Sequence, residues 1–203
     1  MESLKYDSIT FFIKSNTGEI EILTYFNTRD VAAIAICGAL WGVLNILFAP
    51  LFFRATGMPF LCDLIGFSVL ILGAWWIRKF GALTLVGLIA TILNFALGGG
   101  AQFLGFTVAA IFFDVITAIV GYARIFRKTT TTMIMMIIAI FSAAIAGTII
   151  GVFFMVGVPL LTQWGGVAGW AGLHMIGGII GGFIGITLIS ALKKRRIIVY
   201  SEN

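Results

Sequence analysis

Charge, histidine and proline are what this sequence has least of. Only 10% of its 203 residues are charged, one is histidine and three are proline, while 61% are hydrophobic and the mean hydropathy is +1.13. A chain this poor in charge cannot clothe a water-facing surface, so a soluble globular domain is excluded and an integral membrane protein expected. One histidine far from the acids makes no convincing metal site, and no metal or cofactor is assigned. No P-loop, HExxH or GxSxG with a partner base is present, so no catalytic residues are assigned and the chain is not expected to be an enzyme. Cys37 and Cys62 lack CxxC spacing and read as packing residues without a disulfide. No cleavable signal peptide is expected, since the first 27 residues alternate polar with apolar and contain Lys5, Glu19 and Glu21.

What is present is apolar length. Six segments approach or exceed the roughly 20 residues that cross a bilayer: about Val31 to Phe48, Phe60 to Ile77, Gly81 to Leu97, Phe103 to Ala123, Met133 to Val156 and Ala168 to Leu192. The chain therefore divides into an N-terminal segment 1–27, a six-helix transmembrane domain 28–196 and a tail 197–203. Within the first segment, alternation on both sides of Ser15-Asn16-Thr17-Gly18 predicts a short β-hairpin. The expected architecture is an all-α bundle with that hairpin appended.

The net charge of +5 is placed, not spread. Arg29, Arg78 with Lys79, Arg124 with Arg127 and Lys128, and Lys193 to Arg196 fall at alternate ends of the six segments, and Arg54 is the only Lys or Arg in the other loops. By the positive-inside rule both termini are cytoplasmic. Such a pattern beside membrane spans answers to topology and lipid headgroups, and no nucleic-acid partner is expected.

The segments carry few side-chain signals. On the first, Ala32, Ala35, Ala39 and Gly42 recur every three or four residues and end at Asn45, a small face suited to close helix contact. Thr28 is read as its N-cap. The loop Ala49 to Pro59 is apolar and bracketed by two prolines, which predicts a lid folded over the outer side. The last segment holds Gly177, Gly178, Gly181, Gly182 and Gly185 and is expected to pack closely on more than one side, central in the bundle or sliding against a neighbour.

Polar groups inside hydrocarbon cost free energy and are therefore candidates for function. Asn45, Asn94 and His174 fall toward the outer half, with Gln102 in an outer turn beside Gly98 to Gly100, and Trp164 and Trp170 near the last outer connection. Each has a second reading: Asn45 and Asn94 bonding each other or a backbone carbonyl, His174 making an interhelical bond, and the tryptophans anchoring the interface. Asp63 reads as an N-terminal helix charge at headgroup level. Asp114, near mid-membrane and without a basic partner in the sequence, has to be protonated, bonded or facing a ligand.

With its alanine-rich first helix, its Ala35-xxx-Ala39 pair, the IRKFGAL segment at Ile77 to Leu83, a third helix ending in LGGG and a basic end to the fourth, the chain resembles the S-components of energy-coupling factor (ECF) vitamin transporters. The resemblance covers about residues 29–196 and is nearest the YkoE-like hydroxymethylpyrimidine/thiamine group. It implies a substrate-specificity subunit in a prokaryotic plasma membrane, capturing a vitamin-like ligand outside. Delivery would then be powered by a transmembrane T-component and two ATPase subunits. Ala32, Ala35, Ala39 and Gly42 would face the T-component, and Asn45, Asn94, Gln102, Asp114, Trp164, Trp170 and His174 would form the ligand pocket. The chain departs from thiamine-type members in an uncharged third helix, with Asn94 where acids are expected, which favours a neutral ring over a cation unless Asp114 supplies the charge. The alternative expectation is a self-contained secondary transporter or channel in which Asp114 and His174 titrate.

Overall fold

The computed structural model describes residues 12–14, 20–22, 25–126 and 129–195, without the side chains of residues 12–14, 20–22, 123 and 129–132. Two strands, β1 (Phe12–Lys14) and β2 (Ile20–Ile22), pair antiparallel with Phe12 opposite Ile22. The Asn/Gly turn expected between them and the tail 197–203 lie outside the described residues.

The other elements among the described residues are helices: α1 (Thr28–Thr56), α2 (Phe60–Ile77), α3 (Ala82–Ala96), α4 (Leu104–Val120) after a 3-10 turn at Ala101–Phe103, α5 (Tyr122–Ile125), α6 (Thr129–Phe153), α7 (Pro159–Gln163) and α8 (Gly166–Lys194). Among the described residues five helices are long and apolar enough to cross a membrane, and α3 is a shorter apolar helix. This is the make-up of a multi-pass membrane protein. Large side chains such as Ile92, Ile119, Phe141 and Phe183 stand more than half exposed on its flanks, where lipid replaces water at no cost.

The start of α1 is fixed by a capping box. Asn27 Oδ1 accepts the Asp30 N–H at 2.9 Å and the Asn27 N–H donates to Asp30 Oδ2 at 3.0 Å, so the cap is Asn27 and not Thr28. The end differs more from expectation. The predicted lid loop is mostly helix, because α1 runs through Pro50 to Thr56 and stops only at Gly57, which adopts the left-handed conformation at φ 71° and donates its N–H to Phe53. Pro50 deletes only the hydrogen bond to the Ile46 carbonyl; its own φ suits a helix, and the residues after it continue the turn. At 29 residues α1 is about 43 Å long and outruns the hydrocarbon core.

The major helices close into a ring in which α1 packs on α3, α3 on α4, α4 on α6, α6 on α8, α8 on α2, and α2 on α1. The most buried of them is α2, with Phe67, Leu70, Ile71 and Ala74 at 1% exposure or less. The central place expected for the glycine-rich helix thus belongs to α2. The expected close packing on more than one side is there: a Cβ at Gly177 or Gly185 would strike Asp63 or Ile71 of α2, and one at Gly178 or Gly182 would strike Ala143 or Met136 of α6. The remaining face, with Ile176, Ile179, Ile180 and Phe183, is exposed.

Candidate functional site

Near the end of the bundle formed by the C-terminal part of α1, the α3–α4 turn, the end of α6 and the start of α8 lies a cavity of about 400 Å³. That volume is in the range of small-molecule sites. The opposite end carries Arg29, Arg78, Lys79, Arg124 and the Lys193 to Arg195 cluster, and is called the basic end below.

Five of the seven pocket residues expected from sequence line this cavity: Asn45 from α1, Asn94 from α3, Gln102 from the 3-10 turn, and Trp170 and His174 from α8. Gln102 sits exposed at the rim, whereas Asn45, Asn94, Trp170 and His174 are buried. The two asparagines do not bond each other. Asn94 holds the glycine turn, its Nδ2 donating to the Gly100 carbonyl at 3.4 Å and its own carbonyl accepting from the Gly99 N–H at 2.7 Å. Asn45 Oδ1 has no partner.

His174 is held from behind. Its Nδ1 lies 3.1 Å from Oδ1 and 2.9 Å from Oδ2 of Asp63, with both side chains at 1% exposure or less. Asp63 is therefore a buried partner of the histidine, not a charge at headgroup level. Two glycines make the room. A Cβ at Gly177 would lie 2.6 Å from Asp63 Cβ, and one at Gly147 would lie 2.7 Å from His174 Cδ2, both closer than packed carbons approach. The ring is framed by Trp170 and Phe106, each with centroids 5.7 Å away, and Phe53 stacks edge-on against Trp170. With Nδ1 engaged, Nε2 is left without a partner, as is Trp170 Nε1.

The structure places Asp114 elsewhere. Its Oδ2 accepts the Thr84 backbone N–H at 2.9 Å and the Thr84 hydroxyl at 2.8 Å, and its Oδ1 accepts the Tyr122 hydroxyl. Thr84 is in the first turn of α3, so a carboxylate from α4 caps α3 from outside and meets the positive end of its dipole. Burial and that carboxylate raise the Tyr122 phenol above its ordinary value, which keeps it a donor. Asp114 is bonded, at the basic end, and does not reach the cavity.

Trp164 also stands apart, half-buried against the core near the end of α7 and outside the cavity wall. On the small face of α1, Ala32 and Ala35 are exposed and Ala39 is half-exposed, but Gly42 is buried inside the bundle, where a Cβ would lie 3.0 Å from Leu93 and 3.2 Å from the Ala90 carbonyl. The helix rotates its stripe into α3 as it climbs, and Asn45 follows Gly42 inward.

Sequence reading missed Phe53, Arg54, Cys62, Phe103 and Phe106 on the cavity wall. Arg54 carried a usable signal, being the one cation of the outer loops; the aromatic residues carried none beyond apolar periodicity. No family model matches the chain, and no curated protein or solved structure matches it. Fold and site together define a multi-pass membrane protein with a ligand-sized, partly polar cavity at one end.

Proposed function

We propose that this chain is the substrate-specificity subunit of an ECF-type ATP-driven importer in a prokaryotic plasma membrane. In this reading all six major helices cross the bilayer, both termini are cytoplasmic by the placement of the basic residues, and the cavity opens outward. The 15 residues of α3 give only about 22 Å, short of a hydrocarbon core, and the Asp114 cap accommodates that shortfall by satisfying its sunken first turn.

One observation carries the proposal. Three residues of the wall each hold a buried polar atom without a partner, Asn45 Oδ1, Trp170 Nε1 and His174 Nε2, beside Arg54, Asn94, Gln102 and a majority of apolar side chains. Leaving a buried polar atom unpaired costs about 1–3 kcal/mol, a cost that a bound ligand removes. The captured molecule is a small planar vitamin or precursor, thiamine or hydroxymethylpyrimidine-like, delivered through a T-component and two ATPases docked on the Ala32, Ala35 and Ala39 face. The self-contained transporter reading draws no support from Asp114, whose oxygens are occupied far from the cavity.

Uptake tests it. Cells producing this chain with T-component and ATPase subunits accumulate labelled hydroxymethylpyrimidine or thiamine, and purified chain alone hydrolyses no ATP. Ala35→Leu with Ala39→Leu abolishes accumulation and partner co-purification while leaving binding to the purified chain intact. Accumulation in liposomes holding this chain alone, without ATP, contradicts the proposal.

A further inference from the structure

The cavity wall is uneven in hydrogen-bonding sense. Asp63 and His174 sit together at 1% exposure or less, with His174 Nδ1 against the carboxylate and Nε2 without a partner. Trp170 Nε1, one helical turn earlier, can only donate and is equally without a partner. α8 thus places one buried N–H donor, Trp170 Nε1, and the unpartnered His174 Nε2 on residues of the cavity wall.

At the rim stands Arg54, a guanidinium with donors arranged for a planar anion. Among the described residues its titratable companions are Cys62 and His174 on the wall and Asp63 behind His174; α3, α4 and α6 contribute none to the lining. Asp30 and Asp114 are engaged at the basic end, and among the residues lining the cavity there is no carboxylate.

We propose that the cavity selects a heteroaromatic ligand that is uncharged or anionic. An acceptor atom on one ring edge takes the Trp170 N–H beside His174 Nε2, an N–H or O–H on another edge reaches Asn45 Oδ1, and a carboxylate or similar substituent lies against Arg54. This rests on the reading of the cavity as a binding site and narrows it: of the two ligand types proposed above, the neutral hydroxymethylpyrimidine-like ring fits and the thiazolium cation of thiamine does not.

Three probes of one ring size test it by calorimetry on purified protein: nicotinate, nicotinamide and the N-methylpyridinium analogue of nicotinamide, which removes the ring acceptor and adds positive charge. Nicotinate binds tightest and the cation weakest. Arg54→Gln lowers nicotinate affinity about tenfold, the worth of one charge-assisted contact, and leaves nicotinamide unchanged. His174→Phe strands Asp63 and endangers folding, so Trp170→Phe, which keeps a ring and removes one N–H, serves as the second variant; it lowers affinity for nicotinate and nicotinamide alike by about tenfold. Tightest binding of the cation, or nicotinate affinity indifferent to both substitutions, overturns the inference while leaving the cavity a binding site. Binding of none of the probes at millimolar concentration overturns the binding-site reading, and this inference with it.

Discussion

The two ends of the bundle treat polar side chains in opposite ways. At the basic end Asp30 closes the α1 capping box and also takes the Lys79 ammonium at 2.6 Å, Lys79 reaches the Tyr25 carbonyl at 2.8 Å, and Asp114 collects Thr84 and Tyr122. Buried polarity there is paired, the Trp76 indole excepted. At the cavity end Asn45, Trp170 and His174 are as deeply buried, yet each leaves an atom without a partner. Unpartnered atoms also occur off the cavity wall, at Trp41, Ser142, Trp164 and Asp63 Oδ2, so what sets Asn45, Trp170 and His174 apart is the cavity beside them, which burial alone would not have shown.

If that contrast is right, substitutions of similar chemistry have opposite consequences at the two ends. The largest loss of stability follows Asp114→Ala, which strands the Thr84 N–H and the Tyr122 hydroxyl together. A drop of about 3 kcal/mol in detergent unfolding is expected, with probe affinity at the cavity unchanged in the fraction that stays folded. Gly177→Ala comes next: the added carbon meets Asp63 at 2.6 Å, so about 1–3 kcal/mol is lost and binding weakens as the Asp63–His174 contact shifts. If Gly177→Ala unfolded like wild type and bound like wild type, the claim that glycine makes room for the pair would be wrong.

Asn45→Leu sharpens the comparison from the other side. Replacing an unpartnered amide with a similar volume of hydrocarbon leaves stability unchanged or raises it by up to about 1 kcal/mol, while affinity falls. The smallest effect on stability is expected from Ala35→Leu, which adds side chain to an exposed position; unfolding shifts by less than about 0.5 kcal/mol, measured against the much larger Asp114→Ala response.

Much of the site's membership was legible from sequence because membrane interiors make polar residues rare. Asn45, Asn94 and His174 stood out for that reason, Trp170 as an aromatic beside the last outer connection, and the helix ends placed them near one face. What the sequence could not display was pairing. Asp63 and His174 are 111 residues apart and meet only because α2 and α8 are packed at glycine-to-side-chain distance, so Asp63 read as an isolated headgroup charge. Asp114 looked unpartnered for the related reason that its donors are a backbone amide and two hydroxyls, groups that carry no charge to search for. Pro50 misled in the other direction. Proline marks a helix end often enough to predict a loop, but a helix tolerates the loss of one hydrogen bond when the following residues keep its geometry. The result is a longer α1 that brings Phe53 and Arg54 to the cavity.

The central claim is that the unpaired atoms at the cavity end are there for a bound molecule. Native mass spectrometry of the protein released gently from detergent, wild type beside Asn45→Leu combined with Trp170→Phe, tests this most directly. The wild type is expected to carry a small non-covalent adduct, and the double variant to emerge folded, equally stable and empty. Identical spectra from the two, both empty or both loaded, would contradict the account.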